Sequence, residues 1–270
     1  MHKTINRDIL LISASELKII PTLNNVVKKT LDLLNSSNST LNDIFNIIKY
    51  DYAISSKIIN IANSAFYSRG MKIYTLERAI VHIGFNEIKK VITSILFIDN
   101  ILLKLPLQEA DKYKLWIHSL NVACAGKKLA EKLNTEDRDI AFTAGLFHDL
   151  GKVVFLINSN GYNEIVDRAE NDKRHIHEYE MKQYGIDHQK TGLAIATKWR
   201  LPEEIRYVIS THHDNHETSS NLVNIVRAAN NFSLFHEYDG SPETGILMKE
   251  YGNIQREITD INEFFELQQP

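Results

Sequence analysis

The chain has 270 residues, of which 43% are hydrophobic and 24% are charged, and 31 Lys plus Arg oppose 34 Asp plus Glu for a formal charge of −3. This length exceeds that of a mini-protein, and the composition is that of an ordinary globular protein with a sizeable core. Because there is no basic surplus, nucleic-acid binding driven by net charge is disfavoured.

Cys124 is the single cysteine of the chain. It excludes an internal disulfide and a thiolate metal site, and it fits a reducing compartment. The longest apolar runs, such as 9–12, are far shorter than the roughly 20 residues that a membrane span needs. The polar N-terminus also differs from a signal peptide. We therefore expect a cytoplasmic protein that contacts no membrane.

Helices are predicted throughout, since the chain holds only five prolines and 11 glycines and its apolar residues recur every three to four positions. Thr40 and Asp43 have the spacing of a capping box that opens a helix over 41–48. Thr75 is a predicted N-cap, and Gly84 stops the same helix. Further helices are predicted over residues 26–34, 53–65, 86–103, 111–134, 136–158, 187–200, 202–213 and 221–236.

Short connections between these helices favour a helical bundle. Pro106 and the polar residues after it are the best candidate for a boundary between two parts of the chain. Ser241 and Pro242 have the pattern of an N-cap followed by a first helical position, which predicts one or two helices in the tail.

Eleven histidines make up about 4% of the chain, an excess that points to imidazole chemistry. His118 shares a helix face with Leu115 and Val122, so one imidazole lies in a stripe that is otherwise typical of a core. A lone histidine in such a stripe is more often a hydrogen-bonded core residue than a ligand.

His148 and Asp149 stand side by side after small residues, among them Ala144 and Gly145, that allow a neighbouring helix to approach closely. An adjacent imidazole and carboxylate can both reach one metal ion, and the two oxygens of a carboxylate can bridge two ions. The apolar neighbours of the pair argue against a surface salt bridge as the alternative.

Later residues extend the candidate set. His188 follows Asp187, a predicted N-cap, while His175 and His177 are second choices for the same ligand role. His212 and His213 fall together near a helix end, with a solvated pair as the alternative. Asn230 lies in the apolar stripe of Val223 and Val226, a place that an amide takes when it is hydrogen-bonded or ligating.

The order of His118, the pair His148 and Asp149 with Gly151, and the late Asn230 resembles the HD superfamily of metal-dependent phosphohydrolases. The match becomes more specific in other segments, which are similar to the HDOD family, the HD-related output domain of bacterial signalling proteins. These segments are 50–66, 76–84, 116–119 and 199–213. The resemblance covers roughly residues 15–236. It implies an all-α helical bundle of the HD type with an additional N-terminal helical subdomain.

Under this resemblance residues 1–106 are the N-terminal helical part of the domain, 107–240 the HD-type bundle with a metal site, and 241–270 a C-terminal helical extension. By likeness to the binuclear HD-GYP phosphodiesterases, two divalent ions, Fe, Mn or Zn, are expected. The first would be held by His118, His148, Asp149 and Asn230, and the second by Asp149, His188, His212 and His213.

Two departures from the catalytic relatives are visible. Asn230 stands where catalytic HD proteins have Asp, which replaces a charged ligand by a neutral one. The segment after His213 has no Gly-Tyr-Pro motif, so specific recognition of cyclic di-GMP is in doubt.

Three functions remain open. The first is a regulatory signalling domain with a binuclear metal centre and a protein partner. The alternative is an active phosphohydrolase acting on a nucleotide or cyclic nucleotide, with Asp149 and Lys152 as catalytic residues. Lys152 would then steady the phosphate of a small molecule, or else be a solvated lysine at a helix end. The third is an interaction module without metal.

Overall fold

The computed structural model describes residues 6–16, 25–36, 38–64, 67–68, 70–135, 138–214, 220–237 and 239–265. Regular structure in these ranges is helical throughout, with no β-strand among them, which confirms the all-α prediction. A short 3₁₀ turn, Leu102–Lys104, joins two of the helices. The α-helices in chain order are α1 (Arg7–Glu16), α2 (Asn25–Asn35), α3 (Leu41–Ile48), α4 (Tyr52–Ala62), α5 (Leu76–Ile83), α6 (Phe85–Asn100), α7 (Glu109–Lys132), α8 (Arg138–Phe147), α9 (Lys152–Asn158), α10 (Tyr162–Asn171), α11 (Ile176–Tyr184), α12 (His188–Lys198), α13 (Glu203–Thr211), α14 (Asn221–Phe235) and α15 (Pro242–Phe265).

Local capping explains where several helices begin. The Thr40 hydroxyl accepts the backbone N–H of Asp43 at 3.2 Å, and the Asp43 carboxylate accepts the backbone N–H of Thr40 at 2.9 Å. This capping box is the one predicted for α3. Thr75 caps α5 and Gly84 ends it at φ +91°, a conformation that glycine adopts without strain. Both predictions are confirmed.

The predicted continuous helix over 136–158 is wrong, because a turn at His148–Gly151 divides it into α8 and α9. Within the turn, the Lys152 N–H donates to the Asp149 carbonyl at 2.9 Å, a three-residue spacing. The turn is closely packed, since a Cβ on Gly151 would lie 1.9 Å from the His188 carbonyl oxygen of α12. The backbone of the turn therefore lies directly against α12.

Other differences concern helix ends and helices that were not predicted. The helix predicted over 53–65 is α4, which ends at Ala62, and residues 65–66 lie outside the described ranges. Helices α1, α10 and α11 are not among the predicted helices. Of these, α1 packs against α9 and α12, and α10 packs against α9 and α11.

Helix α7 lies at the centre of the bundle and packs against α8, α14 and α15. Trp116 on α7 is fully buried. Phe97 of α6 contacts both Trp116, with ring centroids 6.2 Å apart, and Phe147, at 5.3 Å and edge-on. The buried apolar residues on both sides of Pro106 form one continuous core. The division of the chain at Pro106 stays a prediction.

The tail is one long helix, α15, docked on α7 and α14. Its apolar side chains, such as Ile254 and Ile258, are buried. Asn262 accepts the indole N–H of Trp116 at 2.9 Å, and Glu257 pairs with the buried Lys90 of α6. These contacts tie the C-terminal helix to both halves of the chain.

The segment Ile140–Asn158 is the one stretch in the described ranges that is long and apolar enough to be considered as a membrane span. Of its residues, 78% are buried inside the protein. That burial is typical of a helical segment in the core of a bundle.

Helices α7 and α8 approach each other closely at Gly145. Gly145 of α8 lies on α7 so closely that a Cβ would come within 2.8 Å of the Ala123 Cα and 2.9 Å of the Val122 carbonyl oxygen. This confirms that the small residues before His148 allow a neighbouring helix to approach. At Gly126, by comparison, the nearest atom to a Cβ is 3.6 Å away.

We expect Gly145→Ala to lower the free energy of unfolding by about 1–3 kcal/mol, because the added methyl group meets backbone that has no room to move. Gly126→Ala is the matched control, since it adds the same methyl group inside α7 with space available and gains helix propensity. Urea denaturation of both variants, followed by circular dichroism in the presence of a chelator, measures the difference. Equal stability of the two variants would contradict the close-packing argument.

Candidate metal centre

The fold brings together predicted site residues that lie up to 95 positions apart in the chain, from His118 to His213. His118 comes from the middle of α7, and Asp149 from the turn between α8 and α9, directly after His148. His188 opens α12, and His213 with its neighbour lies just after α13. Most of these side chains are buried, and His118 keeps 18% of its side chain exposed.

The two oxygens of Asp149 face different imidazoles. Its Oδ2 lies 3.1 Å from His118 Nε2 and 3.2 Å from His148 Nε2. Its Oδ1 lies 3.2 Å from His188 Nε2 and 3.6 Å from His212 Nε2. One carboxylate thus stands between two groups of nitrogen donors, the arrangement that a bridging ligand requires.

Two groups of ligand atoms can be defined around this carboxylate, each with its atoms within 4.8 Å of one another. We call the first the α7 half-site and the second the α12 half-site. The α7 half-site consists of His118, His148 and Asp149, and the α12 half-site of Asp149, His188, His212 and His213. These are the residues of the two predicted ligand sets except Asn230, and their role as ligands stays a prediction.

Contacts on the far side of each ring fix the orientation of the imidazoles. His148 Nδ1 lies 2.7 Å from the Gly145 carbonyl oxygen, and His212 Nδ1 lies 3.1 Å from the carbonyl of Ile209. A ring whose Nδ1–H donates to a carbonyl presents Nε2 as a free lone pair. The Nε2 atoms of both rings are the ones that face Asp149.

Glu180 on α11 holds His188 in the same way, and it is not among the predicted site residues. This fully buried carboxylate lies 2.7 Å from His188 Nδ1 and accepts the backbone N–H of His188 at 2.8 Å. The hydroxyl of Tyr162 donates to its other oxygen. The available signal was an acidic residue eight positions before His188, which alone does not separate a buried carboxylate from an exposed one.

Asn230 is buried, 1% exposed, and its Oδ1 has no hydrogen-bond partner. Ser233, one turn later on α14, has its hydroxyl 3.4 Å from His118 Nδ1. This end of α14 therefore borders the α7 half-site. Ligation by Asn230 stays a prediction, and the unpaired amide oxygen agrees with it.

The donor atoms fit a metal ion. Several buried polar atoms that face this region form no hydrogen bond, and a buried polar atom left unpaired costs about 1–3 kcal/mol. A bound cation would satisfy them together. The donors are nitrogen and oxygen without thiolate, which suits Fe, Mn or Zn. The unpaired atoms are His118 Nε2, His148 Nε2 and Asn230 Oδ1.

The electrostatics of the α7 half-site keep His118 and Asp149 in their ligand forms. Burial lowers the pKa of His118 to about 4, so that its ring is neutral at pH 7. Burial alone would raise the pKa of Asp149, but the charges of His148 and Lys152 hold it well below its ordinary value. A neutral imidazole beside an ionised carboxylate is the state that a metal ion needs.

The α12 half-site differs because one of its histidines is basic. Burial lowers the pKa of His212 to about 3 and that of His213 well below its ordinary value. At His188 burial acts in the same direction, but the charge of Glu180 and the hydrogen bonds to Asp149 and Glu180 raise the pKa to about 9. A metal ion that binds His188 at neutral pH must therefore displace a proton.

Lys152 lies at the edge of the centre, with Nζ 2.5 Å from Asp149 Oδ2 and its side chain 16% exposed. It is therefore not the solvated lysine of the alternative interpretation. Together with His118 and Asp149 it lines a cavity of about 510 Å³. Apolar side chains such as Leu156 and Val166 form much of the remaining wall.

The second-choice histidines do not replace His188. His175 and His177 lie beyond His213, with ring centroids 4.9 Å and 4.4 Å from the His213 ring. The segment 215–219, where the Gly-Tyr-Pro motif is missing, lies outside the described residues.

Comparison with known proteins gives relatives of greater length. An uncharacterized protein of Treponema pallidum (strain Nichols) is 23% identical over 210 residues, which cover 74% of this chain and 39% of that protein. Ribonuclease Y of Aster yellows witches'-broom phytoplasma (strain AYWB) is 29% identical over 116 residues, 43% of this chain and 17% of that enzyme. The chain therefore spans less than half the length of these relatives.

Solved structures share the fold. An HDOD domain protein of unknown function from Geobacter sulfurreducens superposes with a TM-score of 0.76 at 22% identity, over 96% of this chain and 99% of that one. A protein from Shewanella amazonensis SB2B, provisionally described as a phosphohydrolase, gives a TM-score of 0.66 at 19% identity, over 96% and 98%. The sequence model of the HDOD family, the HDOD domain, matches residues 20–215 of this chain. Since this match covers more than half of the chain, the chain belongs to the HDOD family.

Proposed function

We propose that this HDOD protein is a metal-dependent phosphohydrolase with a binuclear centre, acting on a phosphate-containing small molecule. One observation carries the proposal: the two oxygens of Asp149 face separate groups of imidazoles, and the same carboxylate lines a cavity of small-molecule size. A purely structural core would have no reason to leave so many donor atoms unpaired beside a cavity.

The α7 and α12 half-sites would each hold one divalent ion, with Asp149 common to both. Such a pair of ions, when bound, lowers the pKa of a bound water and neutralises phosphate oxygens. The protein supplies the positions of the donors. The carbonyl of Gly145 orients the ring of His148, and the carbonyl of Ile209 orients that of His212. The carboxylate of Glu180 orients the ring of His188.

Lys152 is proposed to bind the substrate phosphate. Its ammonium group lies at the cavity wall next to Asp149, where it pairs with the buried carboxylate. Once a cation takes over that role, the ammonium is available to a phosphate oxygen, for which lysine is a common partner.

The cavity suits a nucleotide-sized molecule. Its volume of about 510 Å³ falls within the range of about 300–1,000 Å³ that is usual for small-molecule sites. Lys114 and Lys152 supply positive charge, while Leu156, Val166 and Ile176 supply apolar surface for a base or another ring. The formal charge of −3 on the whole chain continues to disfavour a long nucleic acid as substrate.

The second candidate is a regulatory signalling domain in which the same centre binds metal but does not turn over substrate, and in which a protein partner reads its state. Asn230 favours it, since the amide removes a negative charge from the predicted ligands of the first ion. Weaker binding of the first ion would make hydrolysis slow, while the structure of the site would be retained.

The shared ligand gives the first test of the proposed centre. We expect Asp149→Ala to bind two metal ions fewer per chain than the wild type, and His118→Ala one fewer, because only Asp149 faces both half-sites. Elemental analysis of anaerobically purified protein gives the counts, and circular dichroism controls for folding. Hydrolysis of bis(p-nitrophenyl) phosphate should fall to background in Asp149→Ala. Unchanged metal content or unchanged hydrolysis in that variant would disprove the centre.

A second prediction concerns Glu180. The carboxylate orients His188 and keeps it protonated, so wild-type protein should release about one proton from this histidine on binding metal at pH 7.5. Glu180→Gln lowers the pKa of His188, which reduces the proton release, and it loosens the ring, which weakens metal binding about 10- to 100-fold. Calorimetry in buffers of different ionisation enthalpy measures both quantities.

Glu164→Gln, an exposed carboxylate on α10, is the control for this experiment. If Glu180→Gln binds metal as tightly as the control and releases as many protons, Glu180 has no positioning role at His188.

Asn230→Asp distinguishes the two candidate functions. The new carboxylate should strengthen binding of the first ion and raise the hydrolysis rate at limiting metal, since it restores the charged donor of catalytic relatives. Asn224→Asp, an exposed position one and a half turns earlier on α14, controls for the added charge. A higher hydrolysis rate in Asn230→Asp, and not in Asn224→Asp, supports the phosphohydrolase. Tighter metal binding without any hydrolysis supports the regulatory domain.

A further inference from the structure

Two histidines outside the half-sites form a second cluster with His213. The ligand atoms of His175, His177 and His213 lie within 4.8 Å of one another. We call this cluster the outer triad. His213 is its only member that also belongs to the α12 half-site.

Two packed elements position the outer triad. His175 is the residue before α11, and His177 lies in the first turn of that helix. His213 lies just after α13, where its backbone N–H donates to the Gln189 side chain at 2.8 Å. The ring of Phe235 packs edge-on against His175 at 5.2 Å. The three imidazoles are therefore brought together by tertiary structure and not by chain proximity alone.

The ring nitrogens of the outer triad are buried without partners. His175 Nδ1, His177 Nδ1 and His213 Nε2 form no hydrogen bond, and the His213 residue is only 8% exposed. A buried imidazole nitrogen normally finds a donor, an acceptor or a metal. The ligand-atom group contains no carboxylate that could pair with a protonated ring.

We propose that the outer triad is a further metal site, which takes one transition-metal ion of the borderline class such as Zn²⁺, Co²⁺, Ni²⁺ or Cu²⁺. Three imidazole donors and no oxygen donor suit these ions, while Mg²⁺ and Ca²⁺ need oxygen ligands. Coordination by three histidines, with a fourth position left to water, is a known arrangement for zinc.

The outer triad should bind its ion more weakly than the half-sites bind theirs. The rings of His177 and His213 are stacked at 4.4 Å with planes 22° apart, so they must rotate before their nitrogens converge on one ion. His175 and His177 are only partly buried, which leaves them room to rotate and gives the ion a path from solvent. His213 serves both groups if its two ring nitrogens face different ions.

The test is a count of bound ions. Equilibrium dialysis against excess Zn²⁺ should give one ion per chain more for the wild type than for the double variant His175→Ala, His177→Ala. His236→Ala, an exposed histidine at the end of α14, is the control and should match the wild type. Equal counts for the double variant and the wild type would overturn the proposal.

Measurements on the Asp149→Ala variant separate this proposal from that of the binuclear centre. In Asp149→Ala the half-sites lose their common ligand, yet one ion should remain and should disappear when His175→Ala and His177→Ala are added. Electron paramagnetic resonance of Cu²⁺ bound to Asp149→Ala should show hyperfine splitting from several nitrogens, which the triple variant loses. If Asp149→Ala retains no ion, or the splitting is the same without His175 and His177, the outer triad is a histidine cluster without a metal.

Discussion

The buried carboxylate of Asp149 is the constraint on which the rest of the structure depends. A charge that is 1% exposed must be compensated within the protein, because its transfer from water is costly. The protonated imidazole of His188 and the ammonium of Lys152 supply that compensation. The bundle is built so that these groups meet. Gly145 lets α8 lie on α7, and Gly151 lets the turn that carries Asp149 lie on α12.

Much of this arrangement could be predicted because the relevant signals are local or lie in residue type. Capping at Thr40 and Thr75 depends on neighbours three residues away, and helix periodicity depends on neighbours within one turn. The histidines could be predicted as candidate metal ligands because several of them stand in apolar sequence surroundings, next to small residues or in pairs. Residue type therefore indicates which side chains the fold brings together around Asp149.

The remaining features could not be predicted, since they depend on contacts between distant segments. The turn between α8 and α9 packs at Gly151 against the His188 carbonyl, 37 positions later in the chain. Glu180 resembles any acidic residue of an amphipathic helix until its burial beside His188 is known. His175 stands in a charged stretch, and only the fold places it next to His213.

The replacement of Asp by Asn at position 230 has a consequence for the charge of the whole centre. Among the predicted ligands Asp149 is then the single anion, and Glu180 adds one negative charge behind His188. Two divalent cations together with Lys152 would outweigh these charges, whereas an aspartate at 230 would reduce the excess. A larger positive excess attracts a phosphate dianion more strongly and slows its release. Under the proposed function, the residue that would weaken the hold on the first ion would also favour retention of a phosphate ligand, which would connect slow turnover with sensing in one site.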